Sequence, residues 1–179
     1  MNSVGIYTDS NTGAVENNGL IDFSGDKAIG IFAGGGTQNI LNTGIIKLGD
    51  SSLVNDPSIG IYTNSPSDTI TNNGTIESGT KSLGIYSLGT LVTNNGIIKV
   101  GDVGTGIYKD TGILNINSGS QINIGNYEAI GIYGVNGANV NIASGAILNI
   151  GLGSYGTIIE SGSNLVNSTS ISLGNNSIF

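Results

Sequence analysis

Cysteine, histidine, arginine and tryptophan are all missing from this 179-residue chain, and proline occurs only twice. Without cysteine there is neither a disulfide framework nor a thiolate metal site. Without histidine the commonest general base and metal ligand is gone. Charged residues are also scarce, at 9%, yet hydrophobic residues reach 37%, so the chain does not have the composition of a charged disordered linker and is expected to fold. Twelve acids against five lysines leave a net charge of −7, a sign that phosphate backbones repel, so no nucleic-acid partner is expected. No apolar run approaches the roughly 18 residues needed to span a bilayer. The start, Met1-Asn2-Ser3-Val4-Gly5-Ile6-Tyr7, lacks the basic-then-apolar order of a signal peptide.

What the chain has is glycine, 31 residues of it, and the glycines keep time. Gly5-Ile6-Tyr7, Gly30-Ile31-Phe32, Gly60-Ile61-Tyr62, Gly84-Ile85-Tyr86, Gly106-Ile107-Tyr108 and Gly131-Ile132-Tyr133 are copies of one tripeptide, and Gly156-Thr157-Ile158 is a degraded seventh. Their glycines lie 25, 30, 24, 22, 25 and 25 residues apart. Asn17-Asn18-Gly19, Asn42-Thr43-Gly44, Asn72-Asn73-Gly74, Asn94-Asn95-Gly96 and the weaker Asn117-Ser118-Gly119 and Ala143-Ser144-Gly145 run in phase with them. A third set, Gly25, Gly49, Gly79, Gly101, Gly125, Gly151 and Gly174, closes each unit. Three landmarks per period imply three segments per turn.

Within each segment apolar residues are two apart, as in Ile29/Ile31, Ile59/Ile61, Ile46/Leu48 and Ile122/Ile124, which is the period of a strand. Glycine and Asn-Gly corners accept positive φ. Equivalent residues recur one full period later, so each strand is expected to stack in parallel on its counterpart, about 4.8 Å away. The fold predicted is all-β: a right-handed parallel β-helix, a three-sided solenoid of about seven coils of ~25 residues, filling residues 1–179 as one segment.

In such a fold, chemistry is read down columns. Asn17, Asn42, Asn72 and Asn94 form an amide ladder, which Leu114/Ile116 and Val140/Ile142 replace with apolar filling. Lys47, Glu77 and Lys99 form an outward charge ladder. Asp26, Asp50 and Asp102 share an acidic corner, but the Gly-Gly-x-Gly-x-Asp calcium repeat is missing, so no metal and no cofactor is expected. Strand alternation with Val4 and Ile6 inward turns Tyr7, Phe32, Tyr62, Tyr86, Tyr108 and Tyr133 outward, beside a groove floored by glycine. This stripe is the candidate binding surface. A second candidate is the inserted stretch Asp50–Ser58, with Asp50, Asn55, Asp56 and Pro57, because insertions in solenoids leave as loops. The corner Asn64–Asp68 is expected beside it.

The Gly-Ile-Tyr/Phe, Asn-Asn-Gly-x-Ile and Gly-Asp/Asn elements together resemble the passenger domains of autotransporters, the type V secretion family, and in particular the large fusobacterial outer-membrane adhesins. The resemblance covers essentially the whole chain. It implies a right-handed β-helix on the bacterial cell surface, outer-membrane-anchored or secreted, that binds a host-cell protein or glycan, or another bacterium. Any membrane contact would run through a C-terminal β-barrel not present in this chain, which makes the chain a segment of a longer passenger. Two other readings are a plain spacer stalk and a polysaccharide-degrading enzyme. The enzyme is disfavoured because the acids are scattered over corners and no arginine accompanies them. Uncapped coils near Met1 and Phe179 lead to an expectation of end-to-end association.

Overall fold

The computed structural model describes residues 3–179, and Met1 and Asn2 lie outside the described residues. Among these residues every regular element is a strand. The first coil is β1 (Val4–Thr8), β2 (Thr12–Asn17) and β3 (Leu20–Phe23); the second is β4 (Ile29–Ala33), β5 (Thr37–Asn42) and β6 (Ile45–Leu48); the third opens with β7 (Ile59–Thr63). The same three-strand cycle continues to β21 (Ile171–Leu173). Every third strand pairs in parallel, giving three seven-stranded sheets, here called first, second and third after β1, β2 and β3. The chain is therefore the three-sided parallel β-solenoid that the period implied.

The core is a bundle of aliphatic columns. Ile31, Ile61, Ile85, Ile107 and Ile132 line the first sheet, Ile40, Ile70, Val92, Leu114 and Val140 the second, and Ile46, Ile76, Ile98, Ile122 and Leu148 the third. Each side chain packs on its own kind above and below, so burial comes from neighbouring coils rather than from within one. Ile21 and Phe23, displaced by one residue relative to Gly25, fall back into register with Ile46 and Leu48.

Simple alternation fails in the first sheet. The burial order along Ile29–Ala33 is half-buried, buried, buried, half-buried, buried, so Gly30 and Ile31 both face the core while Ile29 and Phe32 face out. The same order recurs over Ile59–Thr63 and Leu83–Ser87. The expected glycine-floored groove does not exist, because these glycines point inward. A Cβ on Gly84 would lie 2.5 Å from the Gly106 carbonyl oxygen and 2.7 Å from Ile98 Cγ2. Glycine is required there by close approach, and the residue before it, Ile29, Ile59 or Leu83, turns outward in compensation.

Two further expectations need correcting. Leu114 and Val140 continue the aliphatic column of Val92, and only Ile116 and Ile142 take the place of Asn94. Asn117 does not extend the Asn94 column either: it stacks on Asn95, donating to its Oδ1 at 2.7 Å. Nor do the two loops lie side by side. Asp50–Ser58 precedes β7 and Asn64–Asp68 follows it, so the five-residue strand holds them at opposite margins of the first sheet.

The corner from third to first sheet repeats one conformation. Lys27, Lys81, Val103, Tyr127, Gly153 and Asn176 all have φ between 56° and 64°. From Lys81 to Gly153 each N–H in this column donates to a carbonyl of the next coil, as Val103 does to Asn126 at 3.0 Å. A β-branched residue is the worst occupant of this left-handed region, whereas asparagine tolerates it. Val103→Asn is therefore expected to raise stability by about 1 kcal/mol, measured as a higher urea midpoint at unchanged slope.

Candidate functional site

The outer face of the first sheet carries the expected aromatic stripe. Parallel register places Tyr7 on Phe32, Phe32 on Tyr62, Tyr62 on Tyr86 and Tyr86 on Tyr108. The rings stack with centroids 5.2, 5.1, 5.0 and 4.8 Å apart and planes within 10° of parallel. Tyr133 closes the ladder edge-on at 86°, and Ile158 takes the same column in the next coil. Such pairs contribute about 0.5–1.5 kcal/mol each beyond burial. Stacking also decides what is left to a partner. The faces of Phe32, Tyr62 and Tyr86 are covered on both sides, so ring edges and hydroxyls are what this face presents.

Beside the ladder runs a second outward column, Val4, Ile29, Ile59, Leu83, Thr105 and Ile130, produced by the inward turn of the glycines. Sequence reasoning placed Val4, Ile29, Ile59, Leu83 and Ile130 in the core and so missed half of the surface. Together the two columns make a flat, mainly apolar face about five coil steps, or roughly 24 Å, long.

Both ends of the ladder are acidic. Tyr7 donates its hydroxyl proton to Asp9 at 3.2 Å, and Tyr133 donates to Glu160. The neighbouring Asp9 carboxylate raises the Tyr7 phenol above its ordinary range, and the Glu160 hydrogen bond does the same for Tyr133. For Tyr86 and Tyr108, burial is the larger cause, with Asp110 adding to it.

The candidate loop is a pinned structure. Ser51 and Ser58 are buried: Ser58 N donates to Ser51 Oγ at 2.6 Å, Ser51 and Ser82 hydroxyls meet at 3.0 Å, and Ala28 N donates to Ser58 Oγ at 3.1 Å. Asp56 is paired with Lys27, and Asp50 Oδ1 accepts from Thr80 N at 2.7 Å. Asn55 is exposed and Pro57 half-buried. The exposed apolar tip, which sequence reasoning did not single out, is Leu53-Val54. Of the acidic corner, Asp26 accepts from Ser52 N and Asp102 from Asn126 N, so each carboxylate caps an amide one coil on, as Asp50 does. The hydrogen bonds from Ser52 hold the Asp26 carboxyl below its usual range.

The ladders within the stack are structural. Asn17 donates to Asn42 at 2.8 Å, Asn42 to Asn72 at 2.7 Å and Asn72 to Asn94 at 2.8 Å, all buried. On the outside of the third sheet Lys99 meets Glu77 at 2.7 Å.

One buried group was missed altogether. Lys109 is fully enclosed, in a column that runs Thr8, Ala33, Thr63, Ser87, Lys109, Gly134 and Ile159, so that its two neighbours are Ser87 and Gly134. Its Nζ donates to the carbonyls of Gly89 and, at 3.2 Å, of Asp110. Burial lowers its pKa from 10.5 to about 8. A lysine standing among small inward residues was a signal available in the repeat once the column was aligned. Below pH 8 both folded and unfolded chains carry this charge and the fold bears the full cost of burying it. Between pH 8 and 10.5 the folded chain releases the proton while the unfolded chain keeps it, so stability rises with pH in that window. Lys109→Met is expected to gain about 2 kcal/mol at pH 7, an advantage that shrinks from pH 8 to 10.5 in paired urea titrations.

No family model, curated protein or solved structure matches the chain, so the assignment of fold rests on the sheet topology itself.

Proposed function

We propose that this chain is a rigid binding rod, the passenger segment of a bacterial autotransporter, which offers the outer face of its first sheet to a host-cell or interbacterial ligand. The observation that carries this reading is the two-column, mainly apolar face, interrupted only at Thr105. Ile29, Ile59, Leu83 and Ile130 stand on the same outer face of the first sheet as the aromatic ladder, each three residues before its ring. Contiguous apolar surface on a soluble protein marks an interaction site far more often than scattered exposed residues do. Stacked coils suit presentation, since a side chain on one coil is held at fixed spacing from its counterparts on the next. The cell-surface setting rests on the resemblance of the Gly-Ile-Tyr/Phe and Asn-Asn-Gly-x-Ile motifs to those of fusobacterial adhesins.

The test is a host-cell and glycan binding screen of the chain beside the variant with Tyr62, Tyr86 and Tyr108 replaced by serine. Binding by the parent and a fall of at least about tenfold in the variant are expected, with circular dichroism showing the β fold kept in both. Equal binding by a folded variant would remove the ladder as the site. A parent that binds nothing above background would leave a spacer stalk as the better reading.

A further inference from the structure

The distribution of charge around the aromatic ladder identifies the chemistry of what it receives. Of the five lysines, Lys27 is paired with Asp56, Lys81 Nζ donates to the Ser52 carbonyl at 3.3 Å, Lys47 and Lys99 stand on the third sheet, and Lys109 is buried. Every accessible lysine among the described residues thus lies on the third sheet or at its corner with the first. The opposite margin of the first sheet, together with the second sheet, carries Asp9, Glu16, Asp110 and Glu160 and no accessible lysine. Two of these acids sit at the ends of the ladder, Asp9 on the Tyr7 hydroxyl and Glu160 on the Tyr133 hydroxyl, and Asp110 follows Tyr108 on the strand one coil in from Tyr133.

Resting on the reading of this face as the binding surface, we propose that its partner is an extended basic polypeptide segment, laid along the ladder with apolar side chains on the ring edges and a lysine or arginine at each end. A pyranose would need open ring faces to stack upon, and Phe32, Tyr62 and Tyr86 along the middle of the ladder have used both of theirs. An extended strand rises about 3.3 Å per residue and repeats its side every second residue. Cationic side chains eight residues apart therefore share one side and span roughly 26 Å, close to the roughly 24 Å between the ladder's ends. Complementary charge at the rim sets orientation and selects against acidic partners.

The experiment uses fluorescently labelled nine-residue peptides with the intact chain. The first has lysine at both ends and leucine at the third, fifth and seventh positions, with serine between them. The second replaces both lysines with glutamate. Anisotropy titrations are expected to show binding of the basic peptide that weakens as salt rises, and roughly tenfold or more weaker binding of the acidic one. The variant Asp9→Asn, Asp110→Asn, Glu160→Gln preserves side-chain shape and is expected to lose the preference while melting like the parent. Equal binding of both peptides, or a preference unchanged in this variant, overturns the basic partner. So does failure of the basic peptide to bind. The tyrosine-to-serine comparison separately decides whether the face binds at all, so the two failures remain distinguishable.

Discussion

Gly84→Ala is expected to cost about 3 kcal/mol, although it adds one methyl group to a small residue. The new Cβ would be placed 2.5 Å from the Gly106 carbonyl oxygen and 2.7 Å from Ile98 Cγ2. The first neighbour is backbone of the next coil and has no rotamer to escape into. The second belongs to the close-packed interior, where an extra methylene forces side chains out of their wells. Relief would require lifting coil five off coil four, which weakens both the first sheet and the stacked rings above it. Gly19 supplies the control: a Cβ there meets nothing within 4 Å, and Gly19→Ala is expected to change stability by only a few tenths of a kcal/mol. The comparison needs urea unfolding of the two variants beside the parent, and equal effects would contradict the crowding argument.

Breaking the buried amide ladder in its middle has an effect of the same size for a different reason. Asn72 accepts from Asn42 and donates to Asn94, and all three are enclosed. Leucine at position 72 leaves an Asn42 donor and an Asn94 acceptor unpaired away from water, a loss expected to total about 3 kcal/mol. Replacing Asn17, Asn42, Asn72 and Asn94 together by isoleucine leaves no orphan amide, and the same column already holds Ile116 and Ile142 in later coils. The fourfold variant is therefore expected to be more stable than Asn72→Leu alone. Denaturation midpoints that instead fell in proportion to the number of substitutions would show the ladder to be four independent contributions.

The solenoid was legible because the repeat is nearly free of insertions: once Gly-Ile-Tyr recurs in phase with Asn-Asn-Gly, parallel stacking follows and the columns can be written down. The aromatic stripe, the buried Asn17–Asn94 ladder and the Lys47–Glu77–Lys99 column were all read this way. What escaped were features that hydropathy does not encode. Ile29 and Ile31 are equally apolar, and only the crowding at Gly30 shows that one faces out. Glycine has no side chain to announce which way it points. Asn117-Ser118-Gly119 looks like its predecessors but sits one residue out of step, as the pairing of Asn94 with Ile116 and the Asn117–Asn95 hydrogen bond both show. The repeat places the tyrosines on one face but does not show that the rings stack, covering both faces of Phe32, Tyr62 and Tyr86.

The candidate surface was legible in outline and wrong in relief. A groove was expected, and the structure has a flat face with acid at both ends. Asp50 and Asp56, chosen as loop contacts, are spent on Thr80 N and Lys27, leaving Asn55 and the Leu53-Val54 tip as the loop's free surface. The corner carboxylates of Asp26, Asp50 and Asp102 are amide caps, each serving the coil that follows.

The claim on which all the columns depend is that like stacks on like, in parallel, once per turn. Proton NOE spectroscopy of the labelled chain tests it directly, because the first-sheet register pairs Ile61 with Ile85 and Ile85 with Ile107. Amide-to-α-proton contacts between strands one coil apart, including Tyr62 to Tyr86 and Tyr86 to Tyr108, are expected throughout. Close α-proton to α-proton contacts between consecutive strands, the mark of antiparallel hairpins, would contradict the stacked solenoid and every column drawn from it.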